Sequence, residues 1–223
     1  MDPLKAGLKQ MEQGDFHQAA LSFQAAIEEK PQDPIGYINF GQVLLHLGDI
    51  ERAKLFFERA IELDNNLATA HYGLGHLYYQ LENYQEAAKY YQHAIDLGLT
   101  ETDVYFMLGL SLQYQQQYQQ ALPHLQYAYQ QNNQDSEIAF QYGLVLAQTD
   151  QLEAAIQQFE HVIKLDASHS DAYYNLALAH LFKGQTGLAI DLLKQTLKLQ
   201  PNHSMAQQAL SEIERLIAEQ VRD

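Results

Sequence analysis

Glycine recurs in this chain every 34 residues, at Gly7, Gly41, Gly75, Gly109 and Gly143. Alanine does the same without a break, at Ala19, Ala53, Ala87, Ala121, Ala155 and Ala189. A 34-residue period built from helical segments predicts a solenoid of stacked helix pairs, in which each unit buries its apolar face only against its neighbours. Five whole periods and one nearly whole one fill the first 203 residues. The expectation is an all-α, right-handed superhelical solenoid of six helix-turn-helix repeats, spanning 1–33, 34–67, 68–101, 102–135, 136–169 and 170–203. A capping helix over 204–221 completes one continuous domain.

The local pattern supports each repeat. With the recurring glycine set at position 8, position 20 is always alanine, and position 24 reads Phe23, Phe57, Tyr91, Leu125, Phe159 and Leu193. In the second repeat Tyr37, Phe40, Gly41 and Leu44 form one stripe at helical spacing, and Ala53, Phe57, Ala60 and Ile61 form another. Small residues at positions 8 and 20 mark a close helix approach, and the large residue at 24 fills the space beside it. Gly14-Asp15, Gly48-Asp49, Glu82-Asn83 and Gly184-Gln185 separate the two helices of a repeat. Pro123 falls near the start of a second helix and is expected as a late start or slight kink. In the last segment Met205, Ala209, Leu210, Ile213, Leu216 and Ile217 form the apolar stripe of the capping helix.

Charge and composition narrow the function. The formal net charge is −15, and no Lys or Arg occurs between Lys89 and Lys164. That opposes phosphate-backbone binding and a polybasic membrane contact, so neither nucleic acid nor membrane is expected as a partner. The acids serve solubility or select a basic partner; both readings stay open. No cysteine is present, which removes disulfides and thiolate metal sites. His71 and His76 are five apart, off a shared helix face, and no histidine pair has a carboxylate at ligand spacing, so no metal or other cofactor is expected. Gly73-Leu74-Gly75 lies in a helical pattern with no strand before it, and no phosphate loop or nucleophile elbow occurs. The chain is not expected to be an enzyme. The N-terminus lacks the apolar run of a secretory signal, and a cytoplasmic location is expected.

In period and at each signature position these residues resemble the tetratricopeptide repeat (TPR) family. Longer strings, among them YINFG (37–41), TAHYGLGHLYY (69–79) and DAYYNLA (171–177), are similar to a stand-alone bacterial member. The resemblance implies a concave groove lined by the first helices, and a scaffold or adaptor role in which that groove binds an extended peptide or partner segment. A chaperone-like or regulatory protein that sequesters a single client segment is the alternative; an adaptor holds two partners at once, a chaperone one.

In that family positions 2, 5, 6, 9, 12 and 13 line the groove. Carried onto this chain they give Ile38, Tyr72, Phe106, Phe140 and Tyr174 at position 5, and His76, Leu110, Leu144 and Leu178 at position 9. Tyr79 stands at position 12, and Asn39, Gln141 and Asn175 at position 6. The three leucines suggest an apolar patch, and the amides suit a peptide main chain because they both donate and accept. Asp103, Glu137 and Asp171 at position 2 would repel a free C-terminal carboxylate and favour Lys or Arg on the partner. The expected partner is therefore a protein or peptide, apolar or amphipathic with some basic character; self-association stays open.

Overall fold

The computed structural model describes residues 2–220. Among them are thirteen α-helices and no strand. Residues 1–116 and 117–223 form two compact units.

The first unit holds α1 (Pro3–Glu12), α2 (Phe16–Glu29), α3 (Pro34–His46), α4 (Ile50–Leu63), α5 (Ala68–Gln80), α6 (Tyr84–Asp96) and α7 (Thr102–Tyr114). Each helix packs on the next, and the first helices also meet one another, α1 on α3 and α3 on α5. They therefore share one face of the unit. The second unit holds α8 (Tyr118–Gln131), α9 (Ser136–Gln148), α10 (Leu152–Leu165), α11 (Ser170–Phe182), α12 (Thr186–Leu199) and α13 (Ser204–Gln220). There α9 meets α11 in the same way. From α5 on, every first helix, and α13 after them, begins 34 residues after its predecessor.

The close approach at the glycines is real. A Cβ on Gly41 would come within 2.9 Å of the Phe57 ring, one on Gly75 within 2.7 Å of Tyr91, and one on Gly143 within 2.9 Å of Phe159. In these repeats, and at Gly7 over Phe23, position 8 of the first helix thus rests on the aromatic ring at position 24 of its own second helix. Phe23, Phe57, Tyr91 and Phe159 are almost completely buried and anchor the core beside Ala19, Ala53, Ala87 and Ala155.

The turns inside the repeats share one conformation. Gly14, Gly48, Glu82, Gln116, Asp150 and Gly184 all have φ between 56° and 80°. The residue that follows each starts the second helix. Asp15, Asp49 and Asn83 accept a backbone N–H with their side chains; Gln117, Gln151 and Gln185 make no capping bond.

Two expectations need correction. Helix α8 begins at Tyr118 and runs through Pro123, which lies beyond the first four residues whose amides have no intrahelical acceptor. It therefore removes a genuine helical bond instead of marking a late start. The capping stripe is also only partly covered. Ala206 and Ile213 are buried against Ala177, Ala189 and Leu193, and Ala209 and Leu210 pack at their edge, but Met205, Leu216 and Ile217 are exposed. The last predicted residue of this helix, Val221, lies outside the described residues.

Candidate functional site

The first-helix face of the first unit is polar and aromatic. A cavity of about 240 Å³ opens on it, lined by Gln42, Leu45 and His46 of α3, Phe57 of α4, and Tyr72, Gly73, His76 and Gln80 of α5. Gly73 lets the Phe57 ring lie directly against α5 at the cavity wall, since a Cβ there would collide with that ring. Tyr72 and His76 stand one helical turn apart with ring centroids 4.9 Å apart. Beneath them Tyr91 is fully buried, and its hydroxyl and His76 Nδ1 are hydrogen-bonded at 2.6 Å. Burial holds the His76 imidazole below its ordinary pKa, with Asp103 pulling weakly the other way. Burial and the bond to Asp103 push the Tyr72 phenol up, so it remains a protonated donor.

Tyr79 packs on Tyr84 and Tyr114, and the last two rings are stacked at 4.5 Å. Asn39 spends one amide hydrogen on its own helix, donating to Ile35 O at 2.8 Å. Ile38 and Leu110 are 4% and 9% exposed and belong to the core, and Phe106 is half-buried.

On the second unit the same face is more apolar. Leu144, Tyr174 and Leu178 are half-buried, and Phe140 is 8% exposed, packed on Phe159 and on the His169 ring at 4.5 Å. Asn175 donates to Asp171 O at 2.8 Å, as Asn39 does in its own helix. Ile38, Leu110 and Phe140 thus offer a ligand little surface, and the apolar patch expected from three leucines reduces to Leu144 and Leu178.

The three acids of the predicted groove edge each already have a partner within the chain. Tyr72 donates to Asp103, Gln141 Nε2 donates to Glu137 at 2.7 Å, and His203 Nε2 donates to Asp171 at 3.0 Å. The His203 tautomer is set by its other nitrogen, which caps α13 by accepting from Ala206 N–H at 3.1 Å. Each acid is thus held as a structural acceptor.

Family models match across much of the chain. TPR repeat models match residues 41–82 and 143–184, and tetratricopeptide repeat models match residues 68–97 and 170–203. The chain is 38% identical to YrrB over 85% of its own length and 98% of that protein, with a TM-score of 0.82. It belongs to the tetratricopeptide repeat family. YrrB is described as a TPR protein with an unusual peptide-binding site. PilF of Pseudomonas aeruginosa shares the fold at 17% identity, with 94% of this chain and 96% of that one covered and a TM-score of 0.79. MamA from Desulfovibrio magneticus RS-1 shares it at 21% identity, with 77% and 97% covered and a TM-score of 0.70. No curated protein matches the chain in sequence.

TPR proteins are protein-interaction scaffolds and generally non-catalytic. Among the described residues no group of three or more His, Asp or Glu is placed to hold a metal, and no helix is long and apolar enough to cross a membrane. Two features of this TPR chain escaped the sequence reading. His71 of α5 and His93 of α6 meet edge to face at 4.3 Å, because positions 4 and 26 face each other across a helix pair. His71 donates from Nε2 to Asn65 O at 3.2 Å, and burial lowers its pKa. On the second unit a cavity of about 440 Å³ lies between Leu181, Thr186 and the α13 residues Ala209, Glu212, Ile213, Leu216 and Ile217, with Phe182 nearby in sequence 84% exposed. The amphipathic pattern of α13 announced its apolar face but not which part of it the sixth repeat would cover.

Proposed function

We propose that this TPR protein is a non-catalytic adaptor that binds an extended segment of a partner protein along the face of its first helices. The observation that carries the reading is the α3–α5 cavity. It is a concave, partly apolar site whose convergent polar groups come from positions 9 and 13 of one repeat and positions 5, 9 and 13 of the next. Peptide binding by YrrB, as that protein is described, supports the same use of the fold. The groove set is Ile38, Asn39, Tyr72, His76, Tyr79, Phe106, Leu110, Phe140, Gln141, Leu144, Tyr174, Asn175 and Leu178. Within it the accessible members act on the ligand, and the buried ones shape the floor. Leu144 and Leu178 give the segment an apolar anchor, while Asp103, Glu137 and Asp171 keep an anionic rim that favours basic flanks. The bacterial cytoplasm is the setting this reading assumes.

The test is a paired capture from bacterial cytosol, with the native chain and a Gln42→Arg, His76→Ala, Leu178→Gln variant as baits. Equal helicity and melting of the two are shown first. Partners held by the native chain and lost from the variant are the expected result. Partners retained by both would place binding on another surface and end the groove reading.

A further inference from the structure

Two departures from the repeat pattern occur together in the third repeat and nowhere else. At position 24 the core aromatic carries a hydroxyl only there: Tyr91 stands where the other repeats have Phe23, Phe57, Leu125, Phe159 and Leu193. At position 9 histidine occurs only there: His76 stands where the others have Leu8, Gln42, Leu110, Leu144 and Leu178. The structure joins the pair through the 2.6 Å bond between them.

That bond decides the chemistry His76 presents. The Tyr91 side chain is fully buried and its hydroxyl has one hydrogen to place. A buried hydroxyl is held only where its hydrogen finds an acceptor, and among the described residues the hydrogen-bond partner of this one is His76 Nδ1, which we therefore take as the acceptor. An accepting Nδ1 requires the neutral tautomer with hydrogen on Nε2. His76 lines the cavity while Tyr91 does not, so Nε2–H is the nitrogen left to the cavity side, and among the described residues no side chain or backbone group accepts from it. The amides of Gln42 and Gln80 lie on the same wall, and Leu45 and Phe57 supply an apolar floor. A volume of about 240 Å³ equals roughly eight liquid waters at about 30 Å³ each, room for one side chain with its solvent.

We infer that this cavity is a specificity pocket for a carboxamide side chain, glutamine or asparagine, of the bound segment, with Tyr91 as the positioning residue that fixes His76 as a donor. The inference rests on the first-helix face being the binding face. The ligand oxygen accepts from His76 Nε2–H, and its NH₂ donates to the Gln42 or Gln80 oxygen. Its methylenes cover Leu45 and Phe57. A carboxylate fits the donor but lacks the hydrogens for the glutamine oxygens. It would also be desolvated beside Tyr72, whose hydroxyl already serves Asp103, in a chain of net charge −15. An aliphatic side chain leaves a donor and two amides without partners.

The probes are N-acetyl-glutamine N-methylamide, the same blocked glutamate, and blocked methionine, a near-isostere without the amide. Long-range ¹H–¹⁵N spectra of the full chain read the His76 ring. The expected free state is the Nε2–H tautomer. The expected titration moves Nε2 saturably, with the glutamine probe bound at least about fivefold more tightly than either control, the ratio one lost hydrogen-bond set produces. Tyr91→Phe restores the residue three other repeats carry at this position and keeps the fold; in it His76 becomes a tautomer mixture and the preference falls to about twofold or less. An Nδ1–H tautomer in the native chain, equal binding of the three probes, or a preference unchanged in Tyr91→Phe each overturns the proposal. The pocket and the groove fail separately. Partners lost from the groove variant while the glutamine probe leaves His76 unmoved would sink the pocket alone. A preference at His76 with partners retained by the variant would sink the groove alone.

Discussion

The two units are built on one repeat but finished differently. In residues 1–116 the second helices α2, α4 and α6 start on Asp15, Asp49 and Asn83, and each accepts the backbone N–H three residues on. In residues 117–223 the corresponding helices α8, α10 and α12 start on Gln117, Gln151 and Gln185 without a capping bond. The first-helix faces differ as well, with Tyr72, His76, Gln42 and Gln80 on one and Leu144 and Leu178 on the other. The same fold therefore tolerates two grades of helix terminus, because a solenoid takes most of its stability from packing between neighbouring helices and only increments from caps. It also gives the first-helix face of each unit its own chemistry, hydrogen-bonding groups in one and apolar side chains in the other.

If packing dominates, core truncations dwarf every other change in both units. Phe57→Ala is expected to cost about 3–5 kcal/mol in urea unfolding. Phe159→Ala, its counterpart in the second unit, should cost less. Phe57 lies beneath glycines of two first helices, Gly41 and Gly73, whereas Phe159 meets Gly143 and the tilted ring of Phe140. The Phe140 ring can relax into the space left by Phe159; two glycines have no side chain to move. An equal or reversed order would show that the second glycine contact contributes nothing.

The caps give the next effect. Asp49→Ala should destabilise by about 1 kcal/mol, while Asp49→Asn, which keeps the acceptor and loses the exposed ion pair with Arg52, should cost only a few tenths. Gln151→Asp should gain somewhat less than about 1 kcal/mol, since the bond from Gln151 Nε2 to the Thr149 hydroxyl at 3.1 Å is given up. A silent Gln151→Asp together with a costly Asp49→Ala would mean that the second unit holds its helix starts by packing alone.

The repeat and its close contacts were legible because they are local or strictly periodic. A glycine at position 8 and a ring at position 24 lie 16 residues apart in four of the six repeats, so spacing alone pairs them. The site was less legible, for two physical reasons. A first helix turns one flank to the groove and another to the next first helix, and position 5 or 9 lies between; neighbouring side-chain size then decides whether Leu110 or Phe140 is ligand surface or core. The partners of two of the three acids also sit one repeat away, Tyr72 for Asp103 and His203 for Asp171, at separations of 31 and 32 residues. A spacing near the period becomes a contact only once the stacking of repeats is known. The Tyr91–His76 pair was visible as two anomalies of one repeat, but nothing in the spacing said that the hydroxyl and the ring nitrogen would meet.

The smallest effect lies in the turns, where the units differ again by single residues. Gly48 in the first unit and Asp150 in the second occupy the same position with φ of 80° and 60°. A side chain in this left-handed region costs about 1–2 kcal/mol, less for aspartate than for most residues. Glycine removes that strain but adds about 0.5–1 kcal/mol of unfolded-chain entropy. The two nearly offset, so Asp150→Gly should stabilise by no more than about 0.5 kcal/mol. The reverse change is not its mirror image. Gly48→Ala brings the full left-handed strain of a residue with no local polar compensation, and should cost about 1 kcal/mol despite the open space around Gly48. Hydrogen exchange at the first amides of α10 and α4, the helices that follow these turns, separates the two. Slower exchange in α10 and faster exchange in α4 is the expected pair of results. Faster exchange in both would mean that the Asp150 side chain helps to hold its turn, and that the fifth repeat has a local substitute for the glycine it lacks.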